Sequence, residues 1–184
     1  MDYELIQSNT IYQGRVFSLR KDEVRLPNGE VAQLDIVAHP GAVVLLPVDE
    51  AGRIWFIRQY RHPAGEVLLE LPAGTMEAGE AAESCALREI REETGMSAGR
   101  IQKIGEYFLA PGYSTEFLHI YLARDLKPDP LQGDADEFIE TEPIPIDEAF
   151  ALAEGGQIRD AKTLATLLMA RAHLYSGNAY SAGG

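Results

Sequence analysis

Histidine and cysteine are scarce in this chain, with four and one among 184 residues, so a single cysteine excludes an internal disulfide framework. His62 and His119 have no histidine or cysteine partner at ligand spacing, which argues against zinc and for packing or loop roles. Positive charge is also short: 16 Lys and Arg stand against 29 Asp and Glu, a net charge of −13. A polyanionic nucleic-acid backbone is therefore a poor partner. No run of about 18 apolar residues is present, so no membrane-spanning helix is expected. The opening MDYELIQSNT lacks the basic and apolar regions of an export signal, and a cytoplasmic setting is expected. With 46% apolar and 24% charged residues, no internal repeat and no linker-like break, the chain reads as one globular domain.

Acid is abundant, and it is concentrated. Residues 74–96 read GTMEAGEAAESCALREIREETGM, a helix-forming stretch closed by Gly95. With Glu80 in the first turn, Glu89 and Glu93 lie four apart on one helical face, and Glu92 flanks that face. Clustered carboxylates repel one another unless a cation sits among them. An all-oxygen donor set suits a hard divalent ion, Mg²⁺ or Mn²⁺. Arg88 and Glu92 are also four apart, and a salt bridge that orients the acidic ladder is the favoured reading of that pair. Cys85 falls among Ala82 and Ala86 as a small buried packer, and Gly74 and Gly95 serve backbone geometry.

Around this segment the pattern alternates between strands and turns. Residues 16–20 and 23–26 lead through Pro27-Asn28-Gly29 into residues 31–37, a hairpin. Residues 42–48 form an apolar run expected to be buried on both faces. Further strands are expected at 53–60, 67–71, 101–108, 117–123 and 137–144, with loops at 61–65 and 110–116 and an exposed, mobile acidic loop at 128–136. A short helix is expected at 147–154. Asp160 is placed to cap another at 161–175, with Leu164, Leu167, Leu168 and Leu174 on its apolar face.

The spacing of Gly74, Glu80, Arg88-Glu89, Ile90, Glu92-Glu93, Gly95 and Met96 matches the Nudix box at every defined position, so the chain resembles the Nudix hydrolases. That resemblance implies an α/β fold, a mixed sheet sandwiched between helices, with antiparallel strands at the N-terminus. The expected division is 1–40 for dimerisation and substrate contacts, 41–175 for the hydrolase domain and 176–184 for a disordered tail. It implies metal-assisted attack of water on a nucleoside diphosphate linked to another group. Glu89 and Glu93 would be primary ligands and Glu92 a further ligand or base. The Ala73 carbonyl, Glu77 and Glu80 would support the metal site. For the general base the resemblance points outside the box to Glu137, with Asp136 and Glu140 as rivals and Glu92 as the alternative within it.

Pro111, sixteen residues after Gly95, resembles the ADP-ribose pyrophosphatase signature, as do RQYR at 58–61 and the C-terminal segment 136–170. This implies ADP-ribose as substrate, Mg²⁺ as cofactor and a homodimer. Substrate contacts are expected at Arg58 and Arg61, and at Pro111, Ser114 and Glu116. The adenine-contact register falls on Gln33 and Asp35, where the subfamily favours arginine and glutamate, so base recognition departs from the pattern. The alternatives are another nucleoside diphosphate sugar of the GDP-mannose type, a dinucleotide, or a non-catalytic nucleotide-sensing module.

Overall fold

The apolar run over 42–48 is the axis of the structure. The computed structural model describes residues 1–133 and 138–175. Strand β4 (Ala42–Pro47) is buried along its whole length. It pairs in parallel with β9 (Phe117–Pro128) and antiparallel with the short β7 (Ala73–Thr75). Strand β8 (Met96–Phe108) pairs antiparallel with β9, completing a mixed sheet in the order β7-β4-β9-β8. Only a strand covered on both faces can be apolar at every position.

Those two faces meet different helices. Val43, Leu45, Tyr121 and Ala123 pack with Cys85, Ala86 and Ile90 of α1 (Ala82–Thr94). Val44, Leu46, Ile120 and Leu122 face the larger core built with Ala149 and Phe150 of α2 (Ile146–Glu154) and Leu167 and Ala170 of α3 (Ala161–Tyr175). The same core takes Ile54 and Phe56 of β5 (Arg53–Arg61) and Leu69 of β6 (Glu66–Glu70). β5 is the middle strand of an antiparallel sheet with β6 and β10 (Ile139–Pro145). A mixed sheet between helices is what the family resemblance implied. Asp160 also caps α3 as expected, its Oδ2 accepting from Thr163 N at 3.0 Å.

Several expectations are corrected. β2 (Ser18–Arg25) is one strand where two were read, and β1 (Glu4–Gln13) pairs beside it in a separate sheet with β3 (Val31–Ala38). β1 is exposed at every position in the single chain, so no alternation in its sequence marked a buried face. Leu164 and Leu168 of α3 are exposed; Thr163 and Thr166 are buried with Leu167 and Ala170 instead. Helix α1 begins at Ala82, so Glu80 precedes it and does not occupy its first turn. The stretch 129–133 is exposed yet tied down. Arg91 Nε donates to the Asp129 carbonyl at 3.1 Å, and Leu131 N donates to the Arg91 carbonyl at 3.2 Å, finishing the end of α1.

Candidate active site

Helix α1 buries one face, formed by Cys85, Ala86, Glu89, Ile90, Glu93 and Thr94. Apolar members of that face anchor the helix on β4 and β9, so the two carboxylates of the same face are carried into the protein with them. Glu89 and Glu93 are only 8% and 7% exposed. The helix ends at Gly95, whose φ of 70° is left-handed, with its N–H donating to the Arg91 carbonyl at 3.1 Å.

What these carboxylates meet is the backbone of β7. Glu93 Oε2 accepts from Ala73 N at 2.8 Å. Glu89 lies directly over Gly74: a Cβ there would fall 1.8 Å from the Glu89 carboxyl carbon and 2.0 and 2.3 Å from its oxygens. Gly74 is thus a matter of space, since any side chain would occupy the volume of the carboxylate.

Arg88 organises the remaining acids. Its guanidinium donates to both oxygens of Glu80, at 3.1 and 3.0 Å. It also donates to Glu89 at 2.6 Å and to Glu92 at 2.8 Å. The expected Arg88–Glu92 pair is present, as one arm of a three-carboxylate arrangement. Glu80 Oε2 additionally accepts from Glu77 N at 3.0 Å, which ties the loop before the helix to the same cluster. Hydrogen bonding to Arg88 holds the Glu80 carboxyl down at about 2, and the same pairing raises the arginine above its ordinary value. Cys85, fully buried beneath, has its thiol pushed up to about 12 by burial and by the charge of Glu89 and Glu80. It is a packing residue, as expected.

The donor set fits a hard divalent cation, being entirely oxygen: Glu89, Glu92, Glu93, Glu80 and the Ala73 carbonyl. Among the described residues, however, no three acidic, histidine or cysteine side chains enclose one ion position. Arg88 supplies the positive charge among Glu80, Glu89 and Glu92, so an ion bound there would share or displace its contact with Glu89.

On the neighbouring sheet, Arg61 makes a bidentate pair with Glu70, Nε to Oε1 at 2.8 Å and Nη2 to Oε2 at 2.7 Å. Burial would push the Glu70 carboxyl up, but the hydrogen bonds from Arg61 and the charge of Lys162 outweigh it and hold it below the usual range. The Arg61 guanidinium is raised above its ordinary value by its bond to Glu70, with the charges of Glu93 and Asp160 adding to the effect. Arg58 does not share that site. Three residues earlier on β5 it points to the other side of the sheet and pairs with Glu142. Glu140 is directly opposite Arg58 on β10 and so also lies away from Arg61. Glu137 and Asp136 lie outside the described residues.

Gln33 and Asp35 are exposed on one face of β3, in the N-terminal sheet. The 110–116 loop docks on the end of that strand: Val37 N donates to the Tyr113 carbonyl at 2.8 Å, and Thr115 N donates to the Val37 carbonyl at 3.0 Å. Ser114, whose Oγ accepts from Glu116 N at 3.1 Å, is thereby placed beside Val37, while Pro111 is exposed at the loop tip. His62 is exposed, and His119 stacks edge-on against Phe117, with Nδ1 3.3 Å from Glu106. Sequence reasoning missed Glu70 and Lys162, and read Asp160 only as a helix cap. The available signal was Glu70 itself, a lone acid inside the apolar stretch 67–71.

Known proteins place this arrangement. The model of the NUDIX domain matches residues 38–167, and that of the nucleoside diphosphate sugar hydrolase N-terminal domain matches residues 3–33. The chain is 38% identical over 165 residues, 89% of either chain, to the ADP-ribose pyrophosphatase of Bacillus subtilis (strain 168). It is 34% identical over 144 residues to the GDP-mannose pyrophosphatase of Yersinia pestis (strain Pestoides F), covering 73% of this chain and 72% of that one. A crystal structure titled as an ADP compounds hydrolase superposes with a TM-score of 0.86 over 97% of each chain at 23% identity, a likeness of fold. With the domain match spanning the mixed sheet, the acidic helix and the first turns of α3, the chain belongs to the Nudix family of hydrolases.

Proposed function

We propose that this protein hydrolyses the pyrophosphate bridge of ADP-ribose, giving AMP and ribose 5-phosphate, with Mg²⁺ as cofactor and Mn²⁺ as a substitute. The observation that carries the reading is the burial of Glu89 and Glu93 against the Ala73-Gly74 backbone, where Gly74 leaves room for a carboxylate. Similarity to the Bacillus subtilis ADP-ribose pyrophosphatase along nearly the whole chain supports the choice of substrate. Similarity to a GDP-mannose pyrophosphatase keeps that sugar nucleotide as the second reading.

Glu89, Glu93 and Glu92 would hold the divalent ions, with the Ala73 carbonyl, Glu80 and Glu77 in support. Bound there, a divalent ion neutralises the diphosphate and lowers the pKa of the attacking water. Arg88 keeps three acids aligned while their charges are unbalanced, a role the i,i+4 geometry with Glu92 favours. Arg61 meets the phosphates with the outer edge of its guanidinium, its inner edge being fixed by Glu70. Water adds to one phosphorus, the bridging P–O bond breaks, and the proton passes to a carboxylate, for which Glu137 is the choice and Glu92 the rival.

We assign base recognition to Gln33 and Asp35 together with the 110–116 loop that docks on the same strand, and the working form to a cytoplasmic homodimer. Exposed Leu5, Ile6, Ile11 and Tyr12 on β1 offer apolar surface for a second copy.

The test is product analysis with ADP-ribose, GDP-mannose and UDP-glucose, each with Mg²⁺ and with excess chelator. AMP and ribose 5-phosphate formed fastest from ADP-ribose, and abolished by chelator, is the expected result. Equal or faster turnover of GDP-mannose removes the narrower assignment; turnover in chelator removes the metal-ligand role of the helix.

A further inference from the structure

Outside the acidic helix the structure holds a second buried charge cluster. Glu70 is 1% exposed and accepts from two cations: Arg61, and Lys162, whose side chain is 12% exposed. Lys162 Nζ also donates to Asp160 Oδ2 at 2.9 Å. That Asp160 oxygen accepts from Thr163 Oγ1 at 2.6 Å, and Thr163 Oγ1 in turn accepts from Leu71 N at 2.8 Å. Leu71 follows Glu70, so the contacts close into a ring: Glu70, Leu71, Thr163, Asp160, Lys162 and back to Glu70. The Lys162 carbonyl is held too, accepting from Tyr107 Oη at 2.9 Å. The ring fastens the start of α3 to the end of β6, three residues before the Ala73 N–H that Glu93 grips.

Charge explains why a lysine sits there. Glu70 and Asp160 contribute two negative charges, and Arg61 and Lys162 two positive ones. Without Lys162 the cluster carries a net negative charge beside a site meant for a diphosphate, and the whole of Arg61 is drawn to its buried carboxylate. With it, Glu70 is balanced from behind and Arg61 keeps charge for what lies in front. We propose that Lys162 is a positioning residue for substrate: acting through Glu70, it sets the orientation and available charge of Arg61 toward the diphosphate. This deepens the pyrophosphatase reading and rests on it.

The experiment compares wild-type enzyme with Lys162→Gln, Lys162→Met and Lys162→Arg, measuring kcat and KM for ADP-ribose, the Mg²⁺ concentration for half-activation, and Tm. Lys162→Gln retains a hydrogen-bond donor toward Glu70 and Asp160, so a folded neutral variant is available even if Lys162→Met does not fold. Loss of the charge raises KM about tenfold, the effect of one unbalanced charge at the margin of a solvated cleft. kcat changes by less than about threefold and Mg²⁺ half-activation stays put, because the carboxylates of α1 are untouched. Lys162→Arg returns KM to within about threefold of wild type, since the charge is what matters. A structural role alone would lower Tm and active fraction together and leave KM unmoved. Active wild type with unchanged KM in folded Lys162→Gln, or no recovery in Lys162→Arg, overturns this inference alone. Wild type inactive on ADP-ribose overturns the substrate reading first.

Discussion

Replacing Gly74 by alanine separates site geometry from fold stability more cleanly than removing any carboxylate. The added methyl would stand 1.8 Å from the Glu89 carboxyl carbon, well inside contact distance. The obstacle is the end of a flexible side chain, so the strand need not move; Glu89 rotates away. Its 2.6 Å bond from Arg88 is lost with that rotation. A charged hydrogen bond, partly exposed on the arginine side, is worth about 1–2 kcal/mol net. Alanine recovers about 0.4–1 kcal/mol through the unfolded chain, because Gly74 has no positive φ to forfeit. The expected change in Tm is a loss of no more than about 6 °C. Turnover responds far more. A carboxylate displaced by an ångström or more from a metal-activated reaction costs about 10²-fold, and Mg²⁺ half-activation rises by about tenfold or more. Calorimetric melting beside a Mg²⁺ titration of AMP release reads both. Wild-type kcat and half-activation in a folded Gly74→Ala enzyme would refute the placement of Glu89 as a ligand.

Three further outcomes are expected. Glu93→Gln still accepts from Ala73 N, so the fold persists while kcat falls by about 10²-fold or more; unchanged turnover contradicts the ligand role. Glu137→Gln lowers kcat with KM little changed, whereas a much larger loss in Glu92→Gln moves the base onto the helix. Glu80, held at about 2 against an ordinary 4.5, stabilises the fold fully above pH 4.5 and loses that contribution as pH falls toward 2. The Tm gap between wild type and Glu80→Gln should therefore close across that window, and a gap constant down to the acid limit would remove Arg88–Glu80 pairing as its cause.

The acidic helix was legible because its information is local. Glu89, Glu93 and Gly95 lie within seven residues of one another, and helical periodicity alone puts the first two on one face. The buried character of β4 was legible for the same reason, as a continuous apolar run. What was not legible depends on distance along the chain. Lys162 reaches Glu70 across 92 residues, and a lysine at the start of a helix gives no sign of its partner. Arg58 and Arg61 share one short motif, yet strand alternation turns them to opposite sides, a consequence of structure that the RQYR string conceals. Glu80 misled through its position: Ala81, which caps α1 without a side-chain bond, gives no signal for the first helical residue. Leu168 followed the apolar spacing of α3 but is 72% exposed, because the ring around Glu70 holds Thr163 inward and the buried face runs through Thr166, Leu167 and Ala170 instead.

The parallel pairing of β4 with β9 sets Ala42 beside Leu118, with the entire acidic segment strung between them. A ribosome that has finished the helix has therefore not yet made the strand that walls it, and the carboxylates cannot be assembled by local folding alone. Competence comes late in synthesis and all together. A chain stopped at Glu116 should carry every carboxylate proposed as a ligand on the helix and still fail to bind Mn²⁺; tight binding by that fragment would show that the helix needs no wall.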